Sequence, residues 1–149
     1  MLAIGGDHAA VRYKECIKKH LDERKIEYVD FGTNDSLSCD YPDYALKVAE
    51  AVASGKCEKG ILICGTGIGM SIAANKVKGI RCAHCADTFS AKACREHNDA
   101  NVLALGERIT GMGTALDIVD IFVDTPFSGS ERHKRRIDKM TAIEDKYFK

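Results

Sequence analysis

Proline, net charge and long apolar runs are all scarce in this sequence. Only two of the 149 residues are proline, and no low-complexity stretch occurs, which argues against a disordered polypeptide. Lys and Arg number 22, as do Asp and Glu, so no overall field favours nucleic acid or an anionic membrane. No apolar run reaches the roughly 20 residues that span a bilayer, and the N-terminus does not resemble a signal peptide. We therefore expect one cytoplasmic domain over residues 1–149, with any anion site local.

The sequence also gives no indication of a disulfide framework or a zinc cluster. Its seven cysteines, at positions 16, 39, 57, 64, 82, 85 and 94, form an odd, scattered set, and several lie in apolar segments. Cys82 and Cys85 have the spacing of a zinc pair and enclose His84, but no second Cys or His pair lies at a matching distance. We expect mostly free core thiols, no bound metal and no cofactor.

Strand-like and helix-like segments alternate along the chain. Strands are expected at residues 2–5, 27–31, 60–64, 80–84 and 101–105. Helices are expected over about 9–25, from 41 onward, and over about 69–77, 88–97, 112–124 and 130–147. Val11, Ile17 and Leu21 form the expected inward stripe of the first helix. The alternation predicts a three-layer α/β/α Rossmann-like fold around a five-stranded parallel sheet.

Two of the predicted strands are followed by loops suited to binding a ligand. In open parallel sheets, ligands bind beyond the carboxyl ends of the strands, where the strand order reverses. Asp7 and His8 follow the first strand, and a glycine-rich loop follows the third. A strand order that makes these strands neighbours would bring Asp7, His8 and Cys64 together. The first two could bind hydroxyl groups or steer a proton, or Asp7 could simply cap the following helix.

The glycine-rich loop, residues 65–69, is typical of an anion cradle. Its three glycines permit close backbone approach, and the N-terminus of the following helix favours negative charge. The spacing matches neither the dinucleotide nor the Walker pattern. Cys64 directly before it could be a nucleophile or a base. Residue 70 is Met, whereas a cysteine phosphatase would need Arg there, so proton transfer is the better interpretation, beside that of a buried strand-end cysteine.

Two further groups of polar residues lie late in the chain. His97 and Asn98 end the fourth helix, where a polar cap is an ordinary interpretation. Because that helix runs antiparallel to the strands, His97 should lie across the sheet from Cys64 of its own chain. Arg132 and Arg136 are four residues apart on one face of the last helix. They could grip a phosphate, or they could be an ordinary solvated or nucleic-acid-binding basic face.

Several motifs in this order resemble the type B ribose-5-phosphate isomerases, a family that also includes galactose-6-phosphate isomerase subunits. The similarity runs from Ala3 to about Ile143. The motifs that carry it are Gly5-Gly6-Asp7-His8, Asp40-Tyr41-Pro42, Cys64-Gly65-Thr66-Gly67-Ile68-Gly69, Ala73-Ala74-Asn75-Lys76 and His97-Asn98-Asp99-Ala100-Asn101-Val102.

The resemblance implies a role for each of these residues. Cys64 would move a proton between C2 and C1 of the sugar, Thr66 would orient the thiolate or an oxygen of the intermediate, and His97 would open the furanose ring. One branch of the family uses a glutamate in the glycine loop as the base, but no acid lies between residues 65 and 74. The implied substrate-binding residues are Asp7, His8, Gly65, Thr66, Gly67, Ile68, Gly69, Asn98, Arg108, Arg132 and Arg136.

The resemblance also implies a homodimer, or a dimer of dimers, whose sites are shared between subunits. The neighbour would supply His97, and the helix over about 130–147 would pack on the partner. The expected ligand is a small sugar phosphate, with no nucleic acid and no membrane as partner. Two alternatives stay open: a hexose phosphate, galactose 6-phosphate or allose 6-phosphate, as the substrate, and a non-catalytic sugar-phosphate-binding module.

Overall fold

The computed structural model describes residues 1–148 and alternates strands with helices as the sequence predicts. A single turn of 3-10 helix, His8–Ala10, precedes the first α-helix. The strands are β1 (Leu2–Gly6), β2 (Tyr28–Asp30), β3 (Lys59–Cys64), β4 (Cys82–His84) and β5 (Val102–Gly106). The helices are α1 (Val11–Glu23), α2 (Tyr41–Ala53), α3 (Ile68–Ala74), α4 (Thr88–Asn98), α5 (Met112–Asp124) and α6 (Glu131–Tyr147).

The five strands form one parallel sheet in the order β2-β1-β3-β5-β4. The predicted α/β fold with a five-stranded parallel sheet is therefore confirmed. β1 and β3 are neighbours along their full length, from Leu2 opposite Lys59 to Gly6 opposite Ile63. The chain leaves these two strands toward opposite edges of the sheet, so the strand order reverses between them. This is the place where open parallel sheets bind ligands.

The sheet is buried on both faces, and successive strand residues alternate between two cores. On one face, Ile4, Ile61 and Ile63 pack with apolar residues of α1, α4 and α5. On the other face, Leu62 and Cys64 pack with apolar residues of α2 and α3. Each core removes apolar surface from water, which is the main stabilising contribution to a fold of this kind.

The first helix differs from the prediction in one informative way. Ile17 and Leu21 are buried as expected, but Val11 is only half-buried and its place in the stripe is taken by Tyr13 and Lys14. A fully buried lysine is rare unless it is paired, and its partners are described below. The predicted edge strands are also shorter in the structure: β2 begins at Tyr28 and β4 at Cys82.

Helix α6 lies outside the two cores. It contacts α4 through His133, and Lys78 makes an ion pair of 2.8 Å with Asp145. Ile143 and Tyr147 remain exposed. Across residues 1–148, no helix combines the length and apolar character needed to cross a membrane.

Candidate active site

A cleft of about 510 Å³ opens at the carboxyl ends of β1 and β3. The loops after these strands form its walls, and the start of α2 and the loop after β5 complete it. The cleft therefore contains Asp7, His8 and Cys64 together. From the sequence, their proximity depended on whether β1 and β3 are neighbours. The lining residues are Asp7, His8, Ala9, Tyr41, Cys64, Gly65, Thr66, Ile68, Gly69, Ile72 and Arg108.

Cys64 is the last residue of β3 and lies at the base of the cleft. It is only 5% exposed, and its Sγ accepts a hydrogen bond of 3.0 Å from the backbone N–H of Gly67. Its carbonyl accepts the N–H of Glu107 at 2.9 Å, which ties the loop after β5 to the same strand end. The thiol is thus fixed in position by the backbone on both sides.

The loop after Cys64 requires glycine at two positions for different reasons. Gly67 has φ +82, and a Cβ there would lie 2.8 Å from Cδ2 of His84. Gly69 has ordinary dihedrals, but a Cβ would lie 2.6 Å from the ring of Tyr41. Thr66 Oγ1 accepts the Ile68 N–H at 3.2 Å, which fixes the turn between these glycines. The loop is therefore both tight and close to the helix that follows β2.

Asp7 and His8 enter the cleft from the turn after β1. Asp7 Oδ1 accepts the Ala9 N–H at 3.0 Å, so the residue caps the 3-10 turn while it also lines the cleft. Nδ1 of His8 accepts the backbone N–H of Cys39 at 3.2 Å, and the Sγ of Cys39 lies 3.7 Å from the same nitrogen. The accepting nitrogen carries no proton, which leaves the proton of the neutral ring on Nε2.

Arg108 lies over the opposite rim of the cleft. Its backbone N–H donates to the Gly65 carbonyl at 2.9 Å. Its side chain passes 3.6 Å from the position that a Cβ of Gly65 would occupy. The guanidinium is exposed, so a cation is available at the mouth of the cleft.

The remaining predicted residues do not reach this cleft within one chain. His97 and Asn98 are the last residues of α4, which returns to the amino edge of the sheet before β5 begins. Arg132 and Arg136 are exposed on α6. The structure brings His97, Arg132 and Arg136 together around His133, whose ring stacks on that of His97 with centroids 4.5 Å apart and an interplanar angle of 17°. Asn98 instead lines a separate cavity with Arg81 and Met140. We call His97, Arg132, His133 and Arg136 the α4–α6 face.

His133 was not predicted from the sequence. Its ring is 8% exposed, and burial, followed by the nearby charge of His97, Arg132 and Arg136, lowers the pKa of His133. The only signal in the sequence is its position between the two arginines. Tyr41 and Ile72, which line the cleft, were missed as well, although Tyr41 lies in a motif that the resemblance had drawn attention to.

The other cysteines are free thiols apart from the cleft. Burial raises the pKa of Cys82 to about 12, despite a hydrogen bond with Ser71 that opposes the shift. Cys85 and Cys94 lie with their sulfurs 3.9 Å apart between β4 and α4. Within the described part of the chain, no group of three or more His, Cys, Asp or Glu side chains could hold a metal ion.

The family profile, the sequence relatives and the solved structures that resemble this chain all point to one family. The profile of the Ribose/Galactose Isomerase family matches residues 2–140. The chain is 48% identical to ribose-5-phosphate isomerase B of Escherichia coli over 145 residues, 97% of each chain. The structure of ribose-5-phosphate isomerase B from Clostridium thermocellum superposes with a TM-score of 0.96 at 54% identity, covering 98% of each chain.

A further solved relative was determined with a ligand. It is ribose-5-phosphate isomerase B of Mycoplasma genitalium with bound ribulose 5-phosphate. The TM-score is 0.92 at 40% identity, over 97% of this chain and 95% of that one. With a matching family profile, close relatives and a shared fold, this chain belongs to the Ribose/Galactose Isomerase family of enzymes.

Proposed function

We propose that this enzyme interconverts ribose 5-phosphate and ribulose 5-phosphate through an enediolate, with Cys64 as the base and His97 as the acid that opens the furanose ring. The observation that carries the proposal is the position of Cys64. A fixed sulfur at the base of a cleft, beside a backbone-lined loop, suits removal of a proton next to a carbonyl. The names of the solved relatives support the choice of a pentose phosphate.

The glycine loop would stabilise the enediolate. The first N–H groups of α3 have no carbonyl partner inside the helix and open on the loop that carries Thr66 and Gly67. Fixed backbone donors need no reorganisation when negative charge develops, and one such donor is typically worth about 3 kcal/mol. Asp7 and His8 would bind hydroxyl groups of the sugar from the other wall of the cleft.

The phosphate would be held by arginines from two places. Arg108 lies at the mouth of the cleft, and Arg132 and Arg136 lie four residues apart on α6, where their guanidinium groups share a helical face. Binding energy from the remote phosphate can be used to hold C1 and C2 of the sugar against Cys64.

We further propose that the active enzyme is at least a homodimer in which each site joins one chain's cleft to the partner's α4–α6 face. The argument is geometric: His97 and the α6 arginines belong to the proposed mechanism but lie apart from the cleft of their own chain. Helix α6 would pack on the partner, which would cover exposed Ile143 and Tyr147. A two-fold axis gives two such sites for each dimer.

A coupled assay for ketose phosphate formation tests the proposed reaction. The panel contains ribose 5-phosphate, galactose 6-phosphate and allose 6-phosphate, each with and without EDTA. We expect the pentose phosphate to be turned over with the highest kcat/KM. A hexose phosphate as the best substrate would select the alternative within the family. No turnover of any substrate, with binding retained, would indicate a sugar-phosphate-binding module.

A further inference from the structure

Lys14 is one of the largest fully buried side chains, and none of the roles proposed above uses it. It lies on α1, six residues after His8, with 0% of its surface exposed. A buried ammonium is costly unless each of its N–H groups has a partner. The partners of Lys14 indicate which part of the structure this buried charge holds in place.

The ammonium of Lys14 has three acceptor groups, one for each of its N–H donors. The carboxylate of Asp30 accepts at 2.8 and 3.0 Å, the Thr33 carbonyl at 2.5 Å and the Asn34 side-chain oxygen at 2.6 Å. Asp30 ends β2, and the other two residues begin the connection from β2 to α2, which we call the β2–α2 segment (residues 31–40). Lys14 therefore ties this segment to α1.

The beginning of the β2–α2 segment is also tied to the end of β1, directly before the turn that carries Asp7 and His8. The Gly6 N–H donates to the Gly32 carbonyl at 2.7 Å, and the Thr33 N–H donates to the Gly6 carbonyl at 2.6 Å. The Gly32 N–H is in turn held by Asp30 at 2.8 Å. The same ion pair thus fixes the path of the segment where it passes Gly6.

The far end of the segment reaches the cleft. Cys39 donates its backbone N–H to Nδ1 of His8, and Tyr41, the first residue of α2, lines the cleft beside Gly69. Between the two ends, Leu37 is exposed, so core packing does not fix this part of the segment. Cys39 lies two residues before α2, so the anchored start of the segment on one side and α2 on the other determine where its amide lies.

We propose that Lys14 is a positioning residue: by anchoring the β2–α2 segment, it holds the Cys39 amide against His8 and keeps that imidazole in the Nε2–H tautomer, as a hydrogen-bond donor to the sugar. The inference rests on the proposed function for the identity of the sugar phosphate. The tautomer itself is a property of the free protein and can be measured without substrate.

Lys59 provides a matched control. It is also a buried lysine, but it lies at the amino end of β3, where its ammonium donates to the Val123 carbonyl at 2.9 Å. Lys59→Met and Lys14→Met each remove one buried ammonium and keep an apolar stem. Only the second change would disturb the β2–α2 segment. Asn34→Ala is a milder variant, because it removes one acceptor of Lys14 and leaves the ion pair with Asp30.

The first measurement is the long-range ¹H–¹⁵N spectrum of the histidine rings in the free, full-length protein. The His8 signals are identified by their loss in His8→Gln. We expect a single Nε2–H tautomer of His8 in the native protein and in Lys59→Met, and a mixture of tautomers in Lys14→Met and Asn34→Ala. The proposal would be overturned if His8 of the native protein carries its proton on Nδ1. It would also be overturned if the His8 signals are unchanged in both Lys14→Met and Asn34→Ala.

The second measurement is steady-state kinetics with ribose 5-phosphate. Loss of a positioned donor should raise KM in Lys14→Met by about tenfold, with a smaller fall in kcat. Lys59→Met should keep KM within about twofold of the native value, even if its melting temperature falls as much as that of Lys14→Met. Equal KM changes in both variants would reduce Lys14 to a general stabilising residue. A native protein that does not turn over ribose 5-phosphate would instead contradict the proposed function and leave the tautomer result standing.

Discussion

The cleft and the α4–α6 face contain most of the predicted site residues, and they are built in opposite ways. In the cleft, Cys64 and Asp7 are buried, and backbone hydrogen bonds fix both. On the α4–α6 face, His97, Arg132 and Arg136 are exposed at a helix end and on a helix surface. Only the stacked His133 is buried there.

The difference separates two tasks. Proton transfer requires a base within hydrogen-bond reach of the reacting carbon, so its position must be fixed before substrate arrives. Phosphate binding requires cationic side chains that can reach the phosphate, and exposed arginines can do so without being fixed beforehand. In a single copy of this chain, the α4–α6 face does not reach the cleft. In the dimer that we propose, the second copy brings the two regions together.

The largest expected effect is on the cleft side. Cys64→Ala should lower kcat by about 10²–10⁴-fold, because it removes the base. Sugar-phosphate binding and the melting temperature should change little. Cys57→Ala is the control, since Cys57 is a buried cysteine in the same core, outside the cleft. Near-native turnover by Cys64→Ala in the coupled assay would contradict the proposed mechanism.

A loss on the α4–α6 face should depend on the form of the substrate. His97→Asn should lower kcat for ribose 5-phosphate by about 10²-fold, because an acid must open the furanose ring of this substrate. Ribulose 5-phosphate cannot form that furanose ring, and the open-chain aldose made from it can leave the enzyme and close its ring in solution, so its conversion should be affected less. Measuring initial rates in both directions distinguishes the two. An equal loss with both substrates would contradict a role of His97 that is confined to ring opening.

A smaller effect is expected from the α6 arginines. Arg132→Ala or Arg136→Ala should raise KM by about tenfold and leave kcat less affected, since each removes one charged hydrogen bond to the phosphate. Arg135→Ala is the matched control on another side of the same helix. If all three variants have the same KM, phosphate binding does not involve the α6 pair.

Acid should destabilise the α4–α6 face first and the start of the β2–α2 segment, next to Asp30, only at lower pH. The pKa of His133 is lowered by burial and by its cationic neighbours, so its contribution is complete above its ordinary value of about 6.5 and is lost as the pH falls. Burial opposes the shift at Asp30, but hydrogen bonds from Lys14 and the Gly32 N–H lower its pKa. Its contribution is therefore complete above about pH 4 and is lost only at lower pH.

Hydrogen exchange of backbone amides as a function of pH measures both events. Protection in α6 should decrease as the pH falls below about 6.5, before protection in β2 and the start of the β2–α2 segment. His133→Phe should remove the first step and leave the second. Simultaneous loss in both regions, with or without His133, would show that they do not differ in this way.

Patterns of apolar residues were sufficient to predict the sheet and its helices. The strand predicted at residues 60–64 is β3, which is buried on both faces of the sheet, and the loop motifs located the cleft once β1 and β3 proved to be neighbours. The strand order itself could not be predicted, because adjacency depends on how helices cross the sheet rather than on any single segment.

The roles of three residues could not be predicted from the sequence. Lys14 is buried because Asp30, Thr33 and Asn34 surround it, and these partners lie 16 to 20 positions away in the chain. His133 is buried by a ring from another helix. Cys39 binds His8 through its backbone N–H, which every residue except proline has, with its thiol near the same ring nitrogen. Pairings between distant segments set all three roles, and a local pattern does not encode such pairings.

The most direct test of the central claim is to mix the two impaired variants, Cys64→Ala and His97→Asn, under conditions in which subunit exchange is verified, and to assay the mixture with ribose 5-phosphate. In a mixed dimer, one site receives both substitutions and the other receives neither. Random reassortment of equal amounts should therefore restore about a quarter of the native activity. Activity that stays at the sum of the two parent variants would contradict a site shared between the cleft of one chain and the α4–α6 face of its partner.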